Sequence, residues 1–232
     1  MEYAPCISRI ATLLADPKRS AMLWALIDGR TRGAEELANL VGVTPSSASA
    51  HLARLSSAGL LKFEARGRKR FFKLAAPEVG AAVEALVSVS RVRAGSVNRE
   101  SIPRPPASMR KACCCGEHLG GELAAEVYQR MLAAQWLMPR SEHLEITQKG
   151  TVHLANMGIY PQAFATRDAH SVCSGWDGER AHIGGALGTS LKKLFMQSGW
   201  VREREESRVL QVTDTGMLRI RSIASQECTV MA

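Results

Sequence analysis

Two sets of residues have types and spacing that suit chemistry. The first is Cys113-Cys114-Cys115-Gly116-Glu117-His118, with Cys173 and His182 further along the chain. Thiolate is a soft ligand and imidazole a borderline one, so these groups suit a soft metal ion or a metalloid. Adjacent cysteines splay, so two of the three at most can reach one ion. Cys173 and His182 complete a set if the segments around them pack face to face. The run reads as a helix start, where thiols ionise more readily and also suit redox sensing. Against this stands a plain packing or capping role for the histidines, since Cys-x-x-His is a short pattern. A cysteine nucleophile with His118 or His182 as base is a remote alternative. No third orienting group, phosphate loop or paired carboxylates accompany it, so the chain does not read as an enzyme. The second set is cationic: Arg66, Arg68, Lys69 and Arg70 crowd a short segment between two apolar runs, as phosphate-binding groups would.

The elements that must position the cationic set can be read along the first ninety residues. Ile7, Ile10, Leu13 and Leu14 recur at helical spacing. Asp16-Pro17 breaks that helix and starts another, Asp16 as cap and Pro17 in the first turn, with Met22, Leu23, Leu26 and Ile27 as its stripe. A short helix over Gly33–Leu40, with Leu37 and Leu40 inward, leads to a turn at Gly42. Thr44 caps the next helix and Pro45 opens it. On that helix Ala50, Leu52 and Leu55 are expected inward, and Ser46, Ser47, Ser49 and His51 outward, with Arg54 near its end. Strand-like runs Leu60–Glu64 and Arg70–Leu74 are joined by Ala65-Arg66-Gly67-Arg68-Lys69, a hairpin with a cationic tip. Pro77 opens a last helix with Val79, Val83, Leu86 and Val87 on one side. This order is the winged helix-turn-helix plan, whose second turn helix enters the major groove of duplex DNA. Thr44, Ser46, Ser47, Ser49, His51 and Arg54 are then the candidates for the groove, and the four hairpin cations for the backbone.

The residues also carry a resemblance. Leu14-Ala15-Asp16-Pro17-Lys18-Arg19, Glu36-Leu37-Ala38, Ser49-Ala50-His51-Leu52-Ala53-Arg54-Leu55, Ala58-Gly59-Leu60-Leu61 and Gly67-Arg68-Lys69-Arg70-Phe71-Phe72-Lys73-Leu74 resemble the arsenical-resistance repressor (ArsR/SmtB) family over about residues 5–93. The resemblance implies a homodimer, joined through the first and last helices, and repression relieved by an effector. It also implies two usual metal positions: a cysteine pair at the start of the first turn helix, or a His/Asp set on the last helix. Thr31-Arg32-Gly33-Ala34-Glu35-Glu36-Leu37 offers no cysteine, and Pro77–Arg93 offers neither His nor Asp. Cys6, alone in this half, reads as a small packing residue near the dimer interface. Any sensing is therefore expected elsewhere.

Elsewhere means the second half, which contains an internal repeat. His118-Leu119-Gly120-Gly121-Glu122-Leu123 matches His182-Ile183-Gly184-Gly185-Ala186-Leu187, and Trp136-Leu137 matches Trp200-Val201. Leu144-Glu145-Ile146-Thr147 with Gly150 matches Leu210-Gln211-Val212-Thr213 with Gly216. Each copy reads as a long amphipathic helix, a hairpin or two short strands, and the start of a further helix. The paired glycines suit close helix approach. Trp136, Trp176 and Trp200 are apolar anchors, or the lining of an organic-ligand pocket, which is the alternative to thiol-based sensing.

Composition agrees with a nucleic-acid partner for the first half only. Net charge is +6 over residues 1–75, +3 over 76–111 and −1 over 112–232. No apolar stretch of membrane-spanning length and no signal-peptide pattern is present, so a cytoplasmic protein is expected, with its six cysteines as thiols or ligands. The fold class read is mainly α with small β wings (α+β): a winged helix-turn-helix over 1–93 and a basic, proline-containing linker over 94–111. A duplicated C-terminal effector domain of two helix-hairpin repeats follows over 112–225, and then a tail over 226–232. The function read is a homodimeric DNA-binding repressor. Its effector is unknown, with a soft metal ion or metalloid as the candidate cofactor.

Overall fold

A computed structural model describes residues 3–92, 106–140, 143–160, 171–175, 180–204 and 207–225, with the side chains of 3–6, 88 and 90–92 excepted. Trp176, Cys228 with the tail, Arg93, residues 94–105 of the expected linker and the side chain of Cys6 lie outside the described residues. The chain divides after Pro106 into two compact units.

In the first unit, α1 (Tyr3–Leu14) and α2 (Pro17–Ala25) meet at a tight corner. The Asp16 carboxylate accepts from the N–H groups of Lys18 and Arg19, at 2.9 and 3.0 Å. The last carbonyls of α1, which have no partner within the helix, are taken up by α2 side chains. Arg19 donates to Leu13 O and Thr12 O, and Ser20 to Leu14 O. After β1 (Arg32–Gly33), α3 (Ala34–Val41) ends at Gly42, whose φ of +65° is the left-handed cap conformation that glycine adopts without strain. Thr44 caps α4 (Pro45–Ser57) by accepting from Ser47 N. Strands β2 (Leu61–Arg66) and β3 (Lys69–Leu74) form the wing, and α5 (Pro77–Val92) follows.

Three expectations in this unit need correction, and one strand is added. The wing pairs Arg66 with Lys69, so its turn is only Gly67-Arg68; both strands run further into the cationic segment than expected. The two-residue β1 pairs with β3 as a third strand, and is too short to leave an alternating pattern in the sequence. On α3 the buried residues are Leu37, Ala38 and Val41, while Leu40 is 58% exposed: the inward face is rotated toward α2 and α4. On α4 the inward set is Ala48, Leu52 and Leu55, so Ala50 points outward. These residues join Met22, Leu23, Leu26, Leu61 and Phe72 in one core.

The second unit follows a single turn of 3-10 helix at Ala107–Met109. Its first run of elements is hairpin β4 (Cys113–Cys115) and β5 (His118–Gly120), helix α6 (Glu122–Ala133), hairpin β6 (Leu137–Pro139) and β7 (Leu144–Ile146), and helix α7 (Gln148–Asn156). Next come hairpin β8 (Val172–Cys173) and β9 (His182–Ile183), helix α8 (Gly185–Gln197), hairpin β10 (Val201–Glu203) and β11 (Leu210–Val212), and helix α9 (Asp214–Ser222). The cysteine run is therefore a strand, not a helix start. Its residues pair with His118–Gly120 across a two-residue turn, and Gly116 there has φ +56°.

The two runs interlock. Helix α6 packs on β9 and α8 packs on β5. Strand β4 also bonds to the far end of the unit, through Cys114 N to Arg208 O and Leu210 N to Ala112 O. One apolar core results, with Leu123, Val127 and Met131 of α6 beside Leu187, Leu191 and Phe195 of α8. Helices α7 and α9 start alike. Thr147 accepts from Gly150 N and donates its own N–H to Trp136 O; Thr213 does the same with Gly216 N and Trp200 O. Gly150 and Gly216 lie directly on those two tryptophan carbonyls, where a Cβ would have no room. Among the described residues, no helix is long and apolar enough to cross a membrane.

Candidate nucleic-acid interface and metal-ligand cluster

Helix α4 offers an outward face made of small residues. Thr44, Ser46, Ser49, Ala50, Ala53 and Arg54 lie on or beside it, and Ser47 is half-buried beside the Thr44 cap. The Ser49 hydroxyl donates back to Pro45 O at 2.9 Å, leaving its lone pairs outward. His51 does not join this face. It is half-buried, with Nδ1 3.9 Å from the Asp16 carboxylate, and so lies against the α1–α2 corner. The Asp16 carboxyl is held below its usual range, chiefly by the Arg19 backbone N–H, and then by the charge of Arg19 and the Lys18 N–H.

The wing cations fall into two kinds. Arg66 is ion-paired to Glu64 at 3.2 Å and lies over the Phe71 ring, and Arg70 lies over the Phe63 ring, each 4.9 Å from the centroid. Each guanidinium is thus drawn toward a ring face before any ligand arrives. Glu64 also pairs with Lys73, and these two hydrogen-bonded cations, Arg66 first, lower its pKa. Arg68 and Lys69 are exposed at the turn and make no ion pair among the described residues. Between the wing, α4 and the start of α3 runs an open groove of about 570 Å³, bordered by Ser49, Ala53, Arg68 and Arg70.

The sulfur and nitrogen groups of the second unit converge on one point. Ligand atoms of Cys115, His118, Cys173 and His182 all lie within 4.8 Å of one another. The pleat and register explain which residues arrive. Cys115 faces His118 across β4–β5, and Cys173 faces His182 across β8–β9, so each hairpin presents one thiol and one imidazole as a cross-strand pair. The two sulfurs are 3.8 Å apart and the two rings 5.1 Å between centroids. His182 Nδ1 lies 2.8 Å from Arg180 O. A carbonyl can only accept, so Nδ1 carries the proton and Nε2 is the basic nitrogen. His118 Nε2 is buried and has no hydrogen-bond partner. The Cys173 thiol is pulled well below the usual thiol range, first by its hydrogen bond with Cys115 and then by the two imidazoles, against the opposing effect of burial.

Cys113 and Cys114, expected as ligands alongside Cys115, are not in this group. The Cys113 side chain is buried against Gly120. Cys114 points the other way, as alternation along a strand requires. Its sulfur sits 3.2 Å from Glu203 Oε1 and accepts from Lys192 Nζ at 3.4 Å, while Lys192 and Glu203 pair at 2.9 Å. Burial pushes the Cys114 thiol up to about 11, with Glu203 adding to the effect, so this thiol is not activated as expected. Trp136 and Trp200 each pack against a neighbouring ring: Trp136 stacks on His153 at 4.5 Å and Trp200 packs on Phe195. A cavity of about 410 Å³ in this unit is bordered by Arg110, Lys111, Glu122, Glu126 and Arg221.

Comparison with known proteins agrees with the geometry of the first unit. A helix-turn-helix domain family matches residues 14–62. The chain is 29% identical over 216 residues to the HTH-type transcriptional regulator YdfF of Bacillus subtilis (strain 168), covering 92% of this chain and 95% of that one. The chain is similar over most of its length to an HTH-type transcriptional regulator. Its DNA-binding part is the winged helix-turn-helix, to which an additional C-terminal region is joined. Two solved structures each cover 38% of this chain. One is a winged helix-turn-helix domain from Mycobacterium bovis, described as homodimeric and as a possible ArsR-family regulator. It is 28% identical, covers 38% of this chain and 80% of its own, and has a TM-score of 0.34. The other is HlyU from Vibrio cholerae, at 25% identity over 38% of this chain and 92% of its own, TM-score 0.35. The B. subtilis relative is described as a regulator and not as an enzyme. In this chain the first turn of α3 carries Glu35 and Glu36 and no thiol.

Sequence reasoning missed two contributors. The Arg180 carbonyl orients His182, and the Lys192–Glu203 pair holds Cys114. Neither leaves a sequence signal, since one acts through its backbone and the other spans 89 residues.

Proposed function

We propose that the protein is a homodimeric repressor whose hold on an operator is governed by its C-terminal unit. One observation carries the reading. Among the described residues, the group of His, Cys, Asp and Glu side chains able to gather on one ligand lies in the C-terminal unit, not in the DNA-binding one. Dimerisation through α1 and α5 is supported by their apolar residues left outside: Ile7 is 68% exposed, Leu86 53% and Val89 62%. A second copy covering these helices would bring two α4 helices to two half-sites.

At the operator, Ser46, Ser49 and Arg54 with the Thr44–Ser47 cap face base edges and adjoining phosphates. Arg66, Arg68, Lys69 and Arg70 meet the backbone. The C-terminal unit reads as two copies of one hairpin–helix–hairpin–helix element. Support comes from the paired Thr147–Gly150 and Thr213–Gly216 caps and the paired Cys–His hairpins. The test is footprinting on the DNA upstream of the protein's own gene, with light scattering for mass and a promoter reporter in cells. A protected, two-fold symmetric site, a dimer mass and a reporter that rises on deletion are expected. A monomer, or a reporter that falls on deletion, overturns the reading.

A further inference from the structure

We propose that Cys115, His118, Cys173 and His182 form a closed tetrahedral site for a thiophilic divalent cation of the zinc class, fastening hairpin β4–β5 to hairpin β8–β9. The separation of the two sulfurs makes the first argument. Two thiolates bound to one zinc at about 2.3 Å and at the tetrahedral angle stand about 3.8 Å apart. Cys115 Sγ and Cys173 Sγ are 3.8 Å apart. A disulfide would need about 2.05 Å.

Donor type makes the second argument. Two sulfurs and two imidazole nitrogens with no oxygen exclude calcium and magnesium and suit zinc or cadmium. Arsenic(III) wants a third thiolate; Cys114 is turned away, and Cys113, although on the Cys115 face, is not among the ligand atoms that converge. Charge makes the third. Two thiolates and two neutral imidazoles around a divalent ion sum to zero, the one net charge a buried site holds cheaply. Loading therefore leaves both sulfurs as thiolates and transfers no electrons.

The surroundings are prepared as well. The Arg180 carbonyl fixes the His182 tautomer with Nε2 as the basic nitrogen, and His118 Nε2 is buried with nothing bonded to it. Such outer groups are a regular part of zinc sites. Four protein ligands leave no open position, which marks a fastening site and not a catalytic one. The hairpins come from stretches of chain 58 residues apart between the two cysteines, so the ion would cross-link the two runs of the unit. The inference does not depend on the operator reading: the site would load in a protein that binds no DNA.

The experiment uses the full chain, purified under reducing conditions, with zinc measured by elemental analysis and Co²⁺ substituted as a spectroscopic probe. About one ion per chain is expected, with tetrahedral cobalt bands and a thiolate-to-cobalt charge-transfer band. Cys115→Ser and Cys173→Ser should weaken binding beyond the about 10–100-fold typical of losing an outer-shell group. Cys114→Ser should bind as wild type. Should the ligand variants fail to fold, chelation of wild type serves instead: it should lower the melting temperature of the C-terminal unit and leave that of the DNA-binding unit in place. Substoichiometric metal, octahedral cobalt, equal effects of Cys114→Ser and Cys115→Ser, or a Cys115–Cys173 disulfide in the freshly reduced protein would each overturn the proposal. Metal bound as described without any operator footprint would sink the repressor reading alone.

Discussion

The wing gives a quantitative handle on DNA binding. Arg68 and Lys69 are exposed at the tip with no ion pair of their own among the described residues, so replacing both with alanine disturbs no packing. Removing one cation from a phosphate reduces the slope of log affinity against log salt by about 0.9. Two such cations on one wing are worth about 1.8, and the proposed dimer about 3.6. Between 50 and 200 mM salt, wild type should therefore lose about two decades more affinity than the double variant. Arg66→Ala should reduce the slope less, because that guanidinium is already shared with Glu64. The assay is fluorescence anisotropy on the upstream duplex and on a scrambled duplex, at several salt concentrations. Both DNAs should weaken alike, since interactions with the DNA backbone carry no sequence information. An unchanged slope for Arg68→Ala, Lys69→Ala would remove the wing tip from the interface and refute the argument.

Three further outcomes follow from the same structure. Gly150→Ala and Gly216→Ala should each gain about 1 kcal/mol of helix propensity but lose about 2–3 kcal/mol or more through the collision with the Trp136 or Trp200 carbonyl; a melting temperature equal to or above wild type for either would contradict the packing described. Ala50→Glu places a negative charge on the outward face of α4, and should abolish binding to both duplexes while leaving the melting curve in place. Asp16→Asn tests the α2 cap by pH: the native carboxyl has a depressed pKa, so its contribution is present above the unfolded value of about 3.9 and disappears as pH falls through the folded one. The gap in melting temperature between wild type and Asp16→Asn should therefore close on acidification, and a gap that stays constant with pH would count against the charge as its cause.

The features legible in the sequence are those whose chemistry is local. Asp16-Pro17 and Thr44-Pro45 mark helix starts because cap and first turn are neighbours in the chain, and the structure places α2 and α4 there. The cationic tip is legible for the same reason. What escapes depends on partners distant in sequence. Whether Leu40 or Val41 faces inward is decided by what α3 packs against, and the short helix tolerates either. Ala48 displaces Ala50 as the inward residue for the same reason. Three adjacent thiols carry no period, so nothing in the cysteine run itself tells a strand from a helix start. Its strand character comes from pairing with His118–Gly120 and bonding to residues 208–210. Once it is a strand, alternation sends Cys114 away from its neighbours. Only the arrival of β8–β9 singles out Cys115.

The exchange of packing between α6 and α8 also bears on how the molecule is made. Helix α6 ends at Ala133, but the strand it lies on begins at His182. At a synthesis rate of about 5–20 residues per second, a growing chain must carry the apolar face of α6 uncovered for about 2–10 seconds before that strand is translated. The core of the DNA-binding unit is complete by Val83, so that unit can close on itself early. Its C-terminal companion matures late and all at once, and a ribosome that stalls between the two runs would release a chain able to find its operator fold but holding a bare, aggregation-prone helix behind it.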